Sequence, residues 1–599
     1  MSDFAEGLLP LTAAAAEEEE EGSWGRCLAD ARRGRLACSA RRAESCSALL
    51  LLLAVGFALV VTAGHDALSA VVRAEVMRQS LVDSPSAPHF ASFVDSDDAK
   101  AGQIFSAYTF FNLTNARDVV LRGARPRFEL VGPVSFHYHN TKFDVRFDDQ
   151  RESVEYRQFQ HNTPVSDADA LLMEAPIVGV DLVLLAALNP NQPLSSTVPL
   201  VYPQSTNPEA LFLTRPAREW LFGFAHPYLP DPQAPLSGRP ARFPGVATND
   251  SSLAAANATH GANRVATGKG GSSAGMMEFV AYDAQTSTTC CRSGLAGETG
   301  AAASGNCQPL FGTWAGDAVR GNIGTQFSPF VDPLATLRLA TFDFGMLRAW
   351  PMVCGRVGQG LGPGLLYDAS DLTDRIGACD SYDVQGIRLN RYSLPSYVMG
   401  NASVSAAEAE AFGNADGPSG LLNQTNCEQY APTFISRPFF LYASDTVKDA
   451  LERLPDEGDE RRHGSFLALE PVSGRVLDFA FRAQINALVR ETTVDTLAGP
   501  VSYFAGVARA NTTGVFFPLL WGEQHAQVTP TQAVEFTANL YTGLKLLAAV
   551  RWVGLALCVT SILGAMFLRC VVVPRFERAA FAVGGEAEGG RGLDEDAIN

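Results

Sequence analysis

CSALLLLLAVGFALVVTAG, residues 46–64, is uncharged and almost wholly aliphatic. As a helix rising 1.5 Å per residue it is about 28 Å long, close to the ~30 Å hydrocarbon core of a bilayer. A helix satisfies its own backbone in lipid, so this stretch can span. The alternative is a cleaved signal peptide, whose apolar core is roughly 7 to 15 residues long and sits at the extreme N-terminus. Here residues 1–45 come first and the apolar run is longer. Thr62, Ala63 and Gly64 are only weakly cleavage-like, so the stretch reads as an uncleaved anchor.

A second apolar run, Trp552 to Leu568, reads WVGLALCVTSILGAMFL between Arg551 and Arg569. Lys545 to Val550 lengthen it. An arginine at mid-bilayer costs ~2.5–3.5 kcal/mol, whereas near the interface Arg551 can snorkel to the headgroups. A buried core helix is the competing reading. Arg26, Arg32, Arg33, Arg35, Arg41 and Arg42 precede the first run; Arg569, Arg575 and Arg578 flank the second. The positive-inside rule then puts both termini in the cytoplasm. The expected organisation is a disordered cytoplasmic tail (1–45), a span (46–64), a luminal or extracellular domain (65–544), a span (545–568) and a second cytoplasmic tail (569–599).

Composition agrees with this layout. A formal net charge of −18 argues against a nucleic-acid partner. Cys290, Cys291, Cys307, Cys354, Cys379 and Cys427 lie between the runs, an even set suited to disulfides in an oxidising compartment. Spacing alone does not choose their pairing. Zinc is disfavoured, because no CxxC pair or His partner stands at ligand spacing. Cys46 and Cys570 sit at the cytoplasmic membrane edge and are S-palmitoylation candidates. The glycosylation sequons at Asn112, Asn249, Asn257, Asn401, Asn423 and Asn511 all fall in the middle region, as a luminal domain requires. Leu8-Leu9 resembles an acidic dileucine sorting signal with imperfect spacing.

Along the middle region, apolar spacing from Leu68 to Met77 continues the first helix to a stop before Pro85. Tyr108 to Leu113 and Leu130 to Phe136 read as strands, the latter interrupted by Gly132-Pro133. Phe143, Val145 and Phe147 alternate, a DDQRE turn follows, and Val154 and Tyr156 alternate again, which is a hairpin pattern. Leu171 to Leu188 reads as a partly exposed helix. Leu211 to Tyr228 reads as a helix after Pro216 that ends at Pro227. Thr248–Gly275, Arg292–Gly305, Gly355–Gly364 and Ser403–Gly420 read as surface loops. Strand signals return from Thr433. Thr529, Pro530 and Gln532 form a capping box opening a helix into the second span.

Two spans around one glycosylated ectodomain resemble the class B scavenger receptors, which include the fatty-acid translocase, the high-density-lipoprotein receptor and the lysosomal integral membrane protein. The resemblance is carried by FLALEPVSGRVLDFAFRAQINALV (Phe466–Val489), similar to the family's L-x-x-E-P-x-[ST]-G followed by R-x-Q-x-N. The matching positions are Glu470, Pro471, Ser473, Gly474, Arg482, Gln484 and Asn486. PFFLYAS (Pro438–Ser444) resembles P-H-F-L-Y-A-S, with Phe439 in place of His. FSPFVDP, RPAREWLFGFAHPYL, FNLTNARDVV, LVGPVSF and PLLWGE also match and keep the family's order. The resemblance implies an α+β, β-rich fold: an irregular antiparallel β-barrel ectodomain with a helical apex bundle, plus two terminal transmembrane helices. It also implies an apolar tunnel for lipid. Apex and lipid-uptake candidates are Leu171, Leu172, Ile177, Val178, Leu182, Leu184, Leu185, Phe212, Trp220 and Phe222. Between Leu171 and Leu213 there is no Lys or Arg, which departs from members that capture anionic particles.

No catalytic constellation stands out. TGKGGS (Thr267–Ser272) lacks the strand and helix that a phosphate loop needs. His137 and His139 share a strand face and could ligate a metal, but no third ligand is apparent. The chain is therefore read as a non-enzyme without cofactor. Its expected partners are fatty acids, sterols, sterol esters or lipoprotein-like particles, at the plasma or endolysosomal membrane, with homo-oligomerisation left open. The competing functions are a receptor for a protein or particle without lipid transport, as in adhesion or lysosomal enzyme escort, and a membrane-tethered hydrolase.

Overall fold

The computed structural model describes residues 40–98, 102–150, 152–188, 211–230, 239–243, 245–269, 275–282, 321–331, 338–343, 348–354, 380–404, 417–425, 431–496, 499–510 and 514–575, with Ala406, Ala409 and Asn414 besides. Both tail interiors and the loops Arg292–Gly305 and Gly355–Gly364 lie outside these residues. So do Cys290, Cys291, Cys307, Cys379, Cys427 and Asn511. The chain divides into two compact units, one from Met1–Ala74 with Asn539–Asn599, the other Glu75–Ala538.

The first unit contains the apolar parts of two long helices, Ala40–Ser80 and Pro530–Phe567. Both are long and apolar enough to cross a membrane. Small residues bring them together. A Cβ on Gly554 would fall 2.0 Å from Val61 Cγ2, and one on Gly564 would meet Leu50. Cys558 Sγ lies 3.6 Å from the Ala54 carbonyl, and Ala43 packs with Val572 and Val573. As one helix ascends from 43 to 61 its partner descends from 573 to 554, an antiparallel pair with the close approach that small residues permit in membranes.

The second unit is built on strands. They are β1 (Ile104–Leu113), β2 (Phe128–Asp148), β3 (Ser153–Pro164), β4 (Pro176–Val180), β5 (Phe212–Pro216), β6 (Phe224–Pro230), β7 (Pro240–Phe243), β8 (Asn263–Ala266), β9 (Phe279–Ala281) and β10 (Arg338–Asp343). There follow β11 (Arg348–Cys354), β12 (Ser381–Val384), β13 (Ile387–Ser393), β14 (Leu421–Asn423), β15 (Thr433–Ser436), β16 (Phe466–Glu470), β17 (Arg475–Val489), β18 (Thr492–Thr496), β19 (Gly499–Tyr503) and β20 (Val515–Gln527). Fourteen form one sheet in the order β10-β11-β13-β16-β17-β20-β1-β2-β3-β8-β9, with β12 on β13 and the β14–β15 pair on β17. Among the described residues the ladder does not close into a barrel, and its terminal strands are joined by the isolated bridges Glu278 to Asn322 and Asn322 to Thr341. Asn322 is buried and fixed: its Nδ2 donates to the Met276 and Gln326 carbonyls at 2.8 and 2.7 Å, and its Oδ1 accepts from Gly324 N.

The β2–β3 hairpin forms where alternation placed it. β2 runs through Gly132-Pro133 instead of stopping there, with a register shift opposite Tyr108. A Cβ at Gly132 (φ 124°) would come 2.7 Å from the Tyr108 carbonyl, so only glycine fits. The capping box also forms. Gln532 Oε1 accepts from Thr529 N at 3.1 Å and Thr529 Oγ1 from Gln532 N at 3.3 Å. The long first helix ends at Ser80, before Pro85.

Three expectations change. Leu171–Leu188 is not one helix but the helix Asp167–Leu172, strand β4 and the helix Leu182–Ala187. Pro176 and Gly179 favour the extended form, and β4 pairs with β5. In Leu211–Tyr228 only Ala217–Phe222 is helical, between β5 and β6, and Gly223 (φ 92°) ends it. The described apex is thus mixed helix and strand, not a purely helical bundle. Thr248–Gly275 is more than a surface loop: it holds the helix Leu253–Thr259 and β8, which joins the main sheet beside β3.

Candidate functional site

Residues directly opposite on neighbouring strands share a face. Following the ladders from Tyr392 to Leu467, Phe479, Ala526 and onward places Phe481, Ala483, Ile485, Tyr108, Phe136 and Tyr138 on one face. The same face carries Asn140, Lys142, Gln158, Gln160 and Asn162. Arg482, Glu523, His525, Phe105, His137, His139 and His161 lie on the other. The first face is therefore the inward one.

Part of it is solid core. Tyr392, Leu467 and Leu469 are fully buried, with Met352 and Cys354 beside them. Yet Phe479, Phe481, Val476, Ala483 and Ile485 are only half-buried. The rings of Phe479 and Phe481 stand 5.5 Å apart. Further round, the face turns polar. Burial pushes the Tyr108 phenol up to about 12 and that of Tyr138 beyond the ordinary tyrosine range. Burial pushes the Lys142 ammonium down to about 8, against the pull of Asp95.

The outer face carries the histidine pair noted from sequence. His139 Nδ1 lies 2.7 Å from the Asp97 carboxylate and its Nε2 2.8 Å from Thr163 Oγ1. Its ring stacks on His161 at 4.4 Å, while His137 meets Phe105 at 5.0 Å. Both His139 nitrogens are engaged, and among the described residues no group of acidic, His or Cys side chains is disposed to hold a metal. Burial and the neighbouring His139 push the His161 imidazole below its ordinary value. Arg482 pairs with Glu523 and donates to the Gly464 carbonyl at 2.6 Å. Burial opposes ionisation of Glu523, but hydrogen bonds with His525 and Arg482 outweigh it and hold the carboxyl below its ordinary value.

Gln484 and Asn486, the rest of the R-x-Q-x-N stretch, are fully buried. Gln484 Oε1 accepts from Phe439 N at 2.7 Å, and its Nε2 donates to Asn486 Oδ1 at 2.7 Å. Asn486 Nδ2 donates to Ser436 Oγ at 3.0 Å. The stretch thereby fastens the PFFLYAS segment, where Phe439, Phe440 and Tyr442 take left-handed backbone at φ 55°, 53° and 64°. Such residues cost roughly 1–2 kcal/mol each and need a fixed surrounding.

The apex candidates are mostly core. Ile177, Leu182, Leu184, Leu185 and Trp220 are buried, Leu172, Val178, Phe212 and Phe222 half-buried, and Leu171 stands 75% exposed. Beneath them, Asp181 and His226 are both fully buried, with Oδ2 and Nε2 2.9 Å apart. Asp181 Oδ1 also caps Leu184 N, and His226 Nδ1 accepts from Leu229 N. This pair was not legible in the sequence, because its partners are 45 residues apart.

Of the modification candidates, Asn249, Asn257 and Asn423 are exposed. Asn112 and Asn401 are half-buried with engaged amides: Asn112 Nδ2 donates to Glu129 and Asn401 Nδ2 to the Gly417 carbonyl. Cys354 is disulfide-bonded. Cys46 and Cys570 are free thiols, half-buried and exposed respectively.

Two helices long and apolar enough to cross a membrane precede and follow a large antiparallel sheet in the chain, the layout of a membrane-anchored protein. The model of the CD36 family matches residues 48–359 and 378–569, and the chain belongs to that family. It is 24% identical to human lysosome membrane protein 2 over 424 residues, 67% of this chain and 73% of that one. It is 21% identical to scavenger receptor class B member 1 of Sus scrofa over 523 residues, 85% of each. Sensory neuron membrane protein 2 of Ostrinia furnacalis is 32% identical over 169 residues, 27% of this chain and 29% of that one. These relatives support a membrane-receptor role.

Proposed function

We propose that this protein is a scavenger-type receptor that takes up lipid and passes it through the inside of its sheet to the bilayer. The observation that carries the reading is the half-buried state of Phe479, Phe481, Val476, Ala483 and Ile485 on the inward face. Apolar side chains that face inward yet keep accessible surface border a space that they do not fill. The two bridges at Asn322 support a sheet wrapped around that space. An acyl chain or sterol entering it gains about 25 cal/mol per Å² of apolar surface removed from water.

Uptake is at the apex, where Leu171 offers an exposed apolar side chain and Leu172, Val178, Phe212 and Phe222 are half-buried beneath. The antiparallel helix pair supports both termini on one side of the membrane, and the flanking arginines make that side the cytoplasm. The ectodomain is glycosylated at the exposed Asn249, Asn257 and Asn423 first, and Cys46 and Cys570 are acylation sites. The membrane is plasma or endolysosomal.

The test is transfer of a fluorescent fatty acid or sterol ester to vesicles holding the full-length protein. Ala483→Trp, which fills the inward face, is expected to slow transfer at least tenfold while the fold is kept. An unaltered rate overturns transport and favours a receptor that binds without conducting.

A further inference from the structure

Lys142 is a cation on the inward face. It stands on β2 opposite Gln158 and two residues from Asn140. Its Nζ donates to the Phe93 carbonyl at 2.5 Å and sits 4.5 Å above the Phe93 ring and 5.4 Å from that of Tyr156. Both rings are buried. Among the described residues Lys142 forms no ion pair with a carboxylate; Asp95 acts on it only at longer range. On the same face the side-chain oxygens of Asn140, two residues away, and of Asn162, opposite Tyr138, are buried with no hydrogen-bond partner among the described residues.

An ammonium drawn partly out of water without a carboxylate bonded to it is costly in a folded protein. A carbonyl and two ring faces offset part of that cost, yet they leave a positive charge with no carboxylate bonded to it among the described residues. Retaining a cation there makes physical sense if an anion arrives. We infer that Lys142 is a headgroup subsite inside the ectodomain that binds the singly charged anionic end of a lipid, the carboxylate of a fatty acid. This rests on the lipid-conducting reading and narrows its cargo. Neutral sterol esters gain nothing from the subsite. Because burial lowers the ammonium to about 8, it carries its charge at pH 7 and loses it above pH 8. The titratable groups facing it are Asp95, past the end of the short helix Phe90–Val94, and Tyr156 on β3, whose phenol burial pushes above its ordinary range.

The experiment measures binding of oleic acid and of methyl oleate to the full-length protein in detergent, for wild type, Lys142→Met and Lys142→Arg. A lost charge-assisted hydrogen bond weakens binding about tenfold to a hundredfold. That loss is expected for oleate with Lys142→Met, with methyl oleate unchanged and Lys142→Arg close to wild type. Equal weakening of both probes, or of neither, assigns Lys142 to fastening the Phe90–Val94 helix and overturns the inference while leaving lipid binding intact. Should Lys142→Met fail to fold, the wild-type pH profile decides. Oleate affinity is expected to fall between pH 7.5 and 9.5 while methyl oleate stays level, and a level oleate profile overturns the inference. Lysophosphatidic acid with the same Lys142→Met sensitivity supports the anion subsite and extends it to phosphate. Binding of no probe overturns the lipid reading and this inference together.

Discussion

Replacing Asn486 by Leu tests how the R-x-Q-x-N stretch holds the molecule together. Leucine keeps the branched shape of the asparagine side chain but is the larger of the two, so some overpacking adds to the cost. The hydrogen bonds change a great deal. Gln484 Nε2 loses its acceptor at 2.7 Å, in a side chain with no exposed surface. Ser436 Oγ loses a donor at 3.0 Å but still donates to the Arg437 carbonyl. The dominant cost is thus one buried, unpaired amide donor, about 1–3 kcal/mol. Gln484→Leu is expected to cost more, because it strands both Asn486 Oδ1 and the Phe439 amide, the latter in left-handed backbone. The double variant is expected to cost less than the sum, with an interaction energy of about 1 kcal/mol or more, since residues in one network do not act independently. The assay is equilibrium denaturation of the full-length protein in detergent. A thermal midpoint is a poorer readout, since in a domain of several hundred residues each kcal/mol moves Tm by only about 1 °C. Additive costs, or a cost for Asn486→Leu below about 0.5 kcal/mol, refute the reasoning.

Four further outcomes are expected. Gly179→Val places atoms where a Cβ is already 2.9 Å from Trp220 Cζ2, and is expected to destabilise by about 1–3 kcal/mol in denaturant titration. Asp181→Ala leaves His226 buried without its carboxylate and Leu184 N uncapped, and is expected to cost about 3–5 kcal/mol. Ala54→Cys is expected to cross-link with Cys558 on mild oxidation, read as a mobility shift on reducing and non-reducing gels; no link refutes the antiparallel pairing. His161 and His463 are both held below the ordinary imidazole value, chiefly by burial. Their folded form favours the neutral ring, so their contribution is complete above the unfolded value near 6.5 and is lost as pH falls through the lower folded value. The midpoint of denaturant unfolding is therefore expected to drop from pH 7 to pH 5, and less so in the His161→Gln, His463→Gln double variant.

Local signals were the readable ones. The apolar helix over 46–64, the hairpin around DDQRE and the Thr529–Gln532 box each depend on residues a few positions apart, and each formed. Leu171–Leu188 misled because a continuous apolar run has no period to separate helix from strand. Pro176 was in view, but the partner strand at Phe212–Pro216 was not. The polar signs of the interior were harder still. Nothing in KFDVRF marks Lys142 as inward, since a bulge between Phe143 and Arg146 resets the alternation around it. Gln484, Asn486 and Phe439 stand out by family resemblance, whereas the hydrogen bond that joins Gln484 to Phe439 crosses 45 residues of chain.

Asn322 has a consequence for how the protein behaves outside its membrane. Exposed strand margins are templates on which other chains add. Both margins of the large sheet, at Phe279–Ala281 and at Arg338–Asp343, abut this one side chain's backbone. A protease nick or a proline beside it would uncover two adhesive borders at once, and turn a well-behaved preparation into one that clumps as its concentration rises.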